Sequence, residues 1–201
     1  MEWAKNAYEI GTPRRGDFLY FDENNDGVIS DRDQVPLGYH IIPRISYGFS
    51  GSGAFKGFDF SFLFTGIAQS SIVHSRGFMG YDDVEGFYDD IHRHAWTEEH
   101  YLNGEKITFP ALSMGANTSI TNNDFSILNR SFLRLKNIEL GYNLPAKWLQ
   151  PMYISQIRVY ASGSNLWTWT KLPIKTVDPE QTDFSVLPIM KMVNFGLNIV
   201  F

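Results

Sequence analysis

The chain reads as an all-β protein made of antiparallel transmembrane β-barrel strands, with long loops gathered on one side. Three observations predict this. Stretches of about ten residues alternate apolar and polar side chains with a period of two, matching the ~9–11 residues a tilted strand needs to cross a bilayer. The connections between them alternate short and long, as transmembrane barrels require. The composition, with 16 Phe, 10 Tyr and 17 Gly, favours strands and turns over helices.

Taken in order, residues 1–43 are polar and turn-rich. A first strand runs from Arg44 to about Ala54, with Ile45, Tyr47 and Phe49 alternating with Ser46, Gly48 and Ser50. A short turn at Lys56-Gly57 leads into Phe58, Phe60, Phe62 and Phe64, four aromatics on one face of a second strand. Residues 70–131 form a long polar connection with one helical stretch expected around Val84 to Glu99. Connections of that length are uncommon in compact domains and are usually functional. Alternation returns at Phe132–Leu144, where Ile138, Leu140 and Tyr142 oppose Asn137, Glu139 and Gly141, and Pro145 stops the strand. Gln156–Trp169 supplies a fourth strand, and Val193, Phe195, Leu197, Ile199 and Phe201 mark the fifth. Trp167 and Trp169 stand at one rim of these strands, Phe55 and Trp148 at the other. The same alternation also fits a soluble, calcium-stabilised β-sandwich that binds carbohydrate. Strand length, loop asymmetry and the aromatic rims favour the barrel.

Composition excludes several classes. A formal net charge of −5 lacks the basic footprint of a nucleic-acid binder. Without cysteine there is no disulfide framework, thiolate metal site or Cys nucleophile. Met1–Tyr20 has no apolar core of a signal peptide, so an export signal is expected to lie outside these residues. No G-x-S-x-G, P-loop or dinucleotide fingerprint occurs, and the chain is expected not to be an enzyme.

Asp22, Asn24, Asp26, Val28 and Asp33 follow a calcium-loop spacing, with Gly27 for the sharp turn and the Val28 carbonyl as a further ligand. Asp33 stands where EF-hands carry a longer Glu, and an Asx-rich turn bonded to its own backbone explains the same residues. Ca2+ would order this loop. His74, His92, His94 and His100 are expected to lie in a solvated loop, since His92 and His94 cannot share a helix face. Asp82, Asp83, Glu85, Asp89 and Asp90 read as an acidic loop face in preference to paired glycosidase carboxylates. Phe78, Tyr81, Phe87, Tyr88, Trp96 and Tyr101 could stack on a ligand, meet a partner, or bury one another, which is the commoner use of aromatics.

Several segments, in this order, carry a resemblance: Gly16-Asp17-Phe18-Leu19-Tyr20, Asp22 to Asp33, Pro43 to Phe49, Lys56 to Asp59, Leu133 to Tyr142, Arg158-Val159-Tyr160, Gly163 to Leu166, Asp178-Pro179-Glu180 and Gly196-Leu197-Asn198. Together, over about residues 16–201, they resemble the C-terminal end of the SusC/RagA family of TonB-linked outer-membrane transporters. The resemblance implies five C-terminal strands of a barrel of about 22 strands with a plugged lumen. It implies a SusD-like surface lipoprotein partner, the TonB system acting through an N-terminal part, contact with membrane lipid, and uptake of oligosaccharide or peptide across a Gram-negative outer membrane. The C-terminus of such barrels is periplasmic. Residues 1–43 are then an extracellular loop region, 44–201 the barrel segment, and 70–131 its long extracellular loop.

Overall fold

The computed structural model describes residues 6–73, 90–113, 118–120, 123–175, 177–182 and 187–201. In chain order the elements are β1 (Ala7–Tyr8), β2 (Val28–Ile29), β3 (Ile45–Phe55), β4 (Phe58–Ala68), β5 (Ser71–Val73), helix α1 (Glu98–Leu102), β6 (Ile127–Asn129), β7 (Phe132–Asn143), helix α2 (Ala146–Leu149), β8 (Gln156–Thr170) and β9 (Met192–Val200). They fall into two compact units. One draws on residues 1–39, 71–129 and 173–176, the other on 40–70, 130–172 and 177–201.

The second unit is a five-stranded antiparallel sheet in the order β3-β4-β7-β8-β9. Each long strand pairs with the next long strand of the chain, so the sheet is an up-and-down meander. The β3–β4 hairpin closes through Lys56 and Gly57, both at positive φ (49° and 89°). Two such residues give the turn whose twist matches the flanking strands.

The register decides the faces. Gly53 lies opposite Phe60, Phe60 opposite Leu140, Leu140 opposite Ala161, and Ala161 opposite Phe195. Directly opposed residues project to the same side, so one apolar row crosses all five strands. The adjacent row, Ser52, Ser61, Glu139, Ser162 and Asn194, is polar. The apolar row is open to solvent, with Phe60, Leu140 and Phe195 exposed at 50%, 55% and 83%. Aromatic rings close the gaps in this row: Phe60 and Phe62 lie over Gly53 and Gly51, where a Cβ would meet the ring. Such glycine–aromatic pairs pin register across strands.

A bulge adjusts the phase. Between β4 and β7 the pairing jumps from Leu63↔Asn137 to Phe64↔Leu135, so Lys136 has no opposite number. Against β8 it jumps from Leu135↔Trp167 to Asn137↔Ser164, leaving Asn165 and Leu166 unmatched, with Asn165 at φ 56°. Leu133 and Leu135 therefore share the apolar face with Ile138 and Leu140, which simple alternation could not achieve. Trp167 and Trp169 sit at the end of the sheet where β7 begins, and Phe55 at the opposite end.

The first unit is built of short pieces. β1 and β2 pair in parallel, β5 and β6 antiparallel. Ile29, Ile72, Ala95, Phe109 and Leu128 are buried there. The helix expected over Val84–Glu99 is corrected where it is described. Asp90–His94 is a single 3-10 turn, and α1 starts only at Glu98, capped by the Thr97 hydroxyl accepting from the His100 N–H. Between them Ala95 pairs with Phe109, which breaks the helical run. Residues 84–89 lie outside the described residues. Among the described residues no helix is long and apolar enough to cross a membrane, which says nothing of strands.

Candidate functional site

The polar face of the sheet carries two ion networks. In the first, Arg158 on β8 donates through Nε to Asp59 Oδ2 on β4 at 3.0 Å, through Nη2 to Asp59 Oδ1, and through Nη2 to Glu139 Oε1 on β7 at 2.7 Å. Asn143 Nδ2 donates to Asp59 Oδ2 at 3.3 Å. The guanidinium lies across Gly141, where a Cβ would overlap it. The glycine on β7 thus lets Arg158 reach over one strand to the next.

The second network is deeper. Arg134 on β7 is 1% exposed. Its Nη2 donates to both Asp178 oxygens at 2.7 Å, its Nη1 to Glu180 Oε2 at 2.7 Å, and its Nε to the Thr168 hydroxyl at 3.0 Å. Lys136 adds a second cation to Glu180 at 3.2 Å. Asp178 and Glu180 belong to the β8–β9 connection, which these bonds tie down onto the sheet. A two-carboxylate grip of this kind satisfies a guanidinium in a buried position that would otherwise be costly.

In the first unit, the predicted calcium-loop residues form one self-bonded turn. Asp22 Oδ2 accepts the Gly27 N–H at 2.8 Å, Asn24 Oδ1 the Asp26 N–H at 2.8 Å, and Asp26 Oδ1 the Val28 N–H at 2.8 Å. Asp33 closes it, accepting from Ser30 N–H at 2.8 Å and Glu23 N–H at 3.0 Å. The Ser30 N–H holds the Asp33 carboxyl below its ordinary range; desolvation opposes it, and the N–H groups of Asn24 and Glu23 add smaller effects in the same direction as Ser30. Asn25 and Gly27 take positive φ (59° and 83°), and Val28 runs on into β2. Among the described residues no group of three or more His, Asp or Glu side chains is gathered to hold a metal ion.

Among the described residues the histidines are not gathered into a metal-holding group. His92 is buried and packs edge-on against Phe109 at 4.6 Å, which corrects the expectation of a solvated loop for this residue. His94 is exposed, and His100 Nδ1 faces the Ala95 carbonyl at 2.9 Å. Asp90 pairs with Arg93 at 2.9 Å. His74, Asp82, Asp83, Glu85 and Asp89 lie outside the described residues, as do Phe78, Tyr81, Phe87 and Tyr88. Of the remaining aromatic candidates, Tyr101 is exposed on α1, whereas Trp96 lines a hollow with Phe18, Phe109 and Phe125. Sequence reasoning did not find this hollow, nor the Arg134 and Arg158 networks. Their members are far apart in the chain and bear no shared motif.

In both sequence and fold the chain is similar to TonB-dependent transporters of the SusC/RagA type. Two curated relatives, TonB-dependent receptors P26 and P3 of Formosa agariphila, are 27% and 26% identical to it, each over 92% of this chain. The chain spans about a fifth of their length, 20% and 19%. The RagAB peptide importer in its open-open state matches 86% of this chain and 19% of its own, at 26% identity and a TM-score of 0.61. Its closed-closed state matches 85% of this chain and 18% of its own, at 28% identity and a TM-score of 0.63. No family model matches the chain.

Proposed function

We propose that the chain is the C-terminal barrel segment of a TonB-dependent importer of oligosaccharides or peptides in a Gram-negative outer membrane, and not an enzyme. The observation that carries this reading is the continuous apolar row Phe60–Leu140–Ala161–Phe195, exposed on one face of a meander whose other face is polar and charged. A lipid-facing outside and a wet inside require that arrangement. A sandwich would bury the apolar row against a second sheet, and in this unit the row is open.

In this reading β3 and β9, at the two edges of the sheet, continue into further strands of a barrel of about 22. Residues 1–43 and the 70–131 connection lie on the extracellular side, and 44–201 belong to the barrel. The Asp22–Asp33 turn is part of the extracellular region, and Ca2+ is the ion that would order it further. A SusD-like surface lipoprotein and the TonB system are the partners. The similarity to TonB-dependent receptors supports the energy coupling, and the similarity to the RagAB peptide importer supports peptide as cargo.

Size-exclusion chromatography with light scattering, with and without detergent, tests the reading. The chain is expected to self-associate in buffer and to disperse in detergent. A detergent-free monomer of 23.0 kDa would show the apolar row buried inward and end the membrane reading.

A further inference from the structure

We propose that the hollow bounded by Phe18, Trp96, Phe109 and Phe125 binds an ammonium group carried on an apolar stem, the chemistry of a lysine side chain, with Asp17 as counter-ion. The inference does not depend on the transport reading.

The hollow has a volume of about 390 Å³, within the range of small-molecule sites. Its walls also include Ile107 and Pro110, and Asp17 is its one charged member. The Asp17 side chain is fully buried, at 0% exposure. Its Oδ2 accepts the Arg14 backbone N–H at 2.8 Å and Arg14 Nε at 3.4 Å, while Arg14 Nη2 turns away to the Ser113 hydroxyl at 2.9 Å. Asp17 Oδ1 is buried with no hydrogen-bond partner among the described residues. A buried carboxylate oxygen left unmatched is costly, and a charged donor arriving from outside would relieve it.

The walls select the donor. A sugar needs several converging polar groups, whereas this site offers one carboxylate and one threonine, Thr108, among aromatic rings. Ring faces attract cations, and the apolar walls suit an alkyl stem. The site is also held in shape. The Trp96 N–H donates to the Phe109 carbonyl at 2.8 Å and the Ala111 N–H to the Gly16 carbonyl at 2.9 Å. The Trp96 ring rests on Gly16, which sits at φ +84° and where any Cβ would overlap the indole.

The test uses the detergent-solubilised chain labelled with 5-fluorotryptophan, the Trp96 resonance being identified by its loss in Trp96→Phe. Three probes are titrated: N-acetyl-lysine amide, its uncharged counterpart N-acetyl-norleucine amide, and methyl glucoside. The lysine derivative is expected to shift the Trp96 signal and to bind at least about tenfold more tightly than the norleucine derivative. Asp17→Asn is expected to remove that preference. No shift with the lysine probe, equal binding of the two amides, or a preference for the glucoside would overturn the proposal. The comparison of probes on the unaltered chain stands even if Asp17→Asn fails to fold.

Discussion

Arg134 and Asp178, 44 residues apart in the chain, meet in a two-pronged ion pair with both carboxylate oxygens 2.7 Å from the same guanidinium nitrogen. Both side chains are buried, at 1% and 8% exposure. The pair joins the middle of the sheet to the connection that leads into its last strand.

Breaking that pair should be costly, because the surviving partner is left as a buried, unmatched charge. Asp178→Asn or Arg134→Gln is expected to lower stability by about 3–5 kcal/mol. Hydrogen exchange across residues 177–182 should rise in both variants while the β3–β4 hairpin keeps its protection. Unchanged protection in the connection would show that Glu180 and Lys136 suffice to hold it.

The two faces of the sheet predict opposite tolerance to charge. Phe60→Lys is expected to destabilise the lipid-embedded protein by about 2–4 kcal/mol, as lipid-facing lysine does near mid-membrane. Ser61→Lys, one residue away on the polar face, is expected to cost far less. Denaturant titration of both variants in lipid vesicles measures the difference, and equal costs would contradict the assigned faces.

Gly66 is a position where the sheet admits no side chain. A Cβ there would fall on the Phe132 carbonyl and on the Tyr47 ring, whose hydroxyl donates to that same carbonyl at 2.8 Å. Gly66→Ala is expected to part β4 from β7 at this end and to cost about 1–3 kcal/mol. Tyr47→Phe should lose only the hydrogen bond, about 1 kcal/mol. Thermal unfolding of the two variants separates the terms.

The Asp22–Asp33 turn should respond to acid. The Ser30 N–H above all holds the folded carboxyl of Asp33 below its ordinary value of 3.8. Its stabilising effect is therefore complete at neutral pH and is lost as pH falls below 3.8 toward the depressed value. Exchange of the Ser30, Glu23 and Asn24 amides, corrected for intrinsic rate, should accelerate through that window. Asp33→Asn should abolish the pH dependence and weaken any calcium response of the same amides.

The five long strands were legible because alternation is a property of the chain itself. Phe58–Phe64 and Val193–Phe201 keep one phase from end to end, and the structure places Phe58–Phe64 in β4 and Val193–Val200 in β9, with Phe201 just beyond the strand. The Lys56-Gly57 turn was legible for the same local reason. The bulge at Lys136 was not, although its trace is present: Leu133 and Leu135 run one step out of phase with Ile138 and Leu140. The strands β5 and β6 are three residues each, too short for any period to show.

By itself the sequence determined which residues alternate, where the turns fall and which face of each strand is apolar, since these follow from a backbone that repeats every two residues. Only the tertiary structure decided which polar groups meet. The ion pair of Arg134 with Asp178, the reach of Arg158 to Asp59 across Gly141, and the seating of Trp96 on Gly16 above a buried Asp17 join residues dozens of positions apart. Such pairings depend on strand register and on the fold of the connections. Neither leaves a periodic mark in the chain, because a charge or a ring looks the same in sequence whether its partner comes within 3 Å or never arrives.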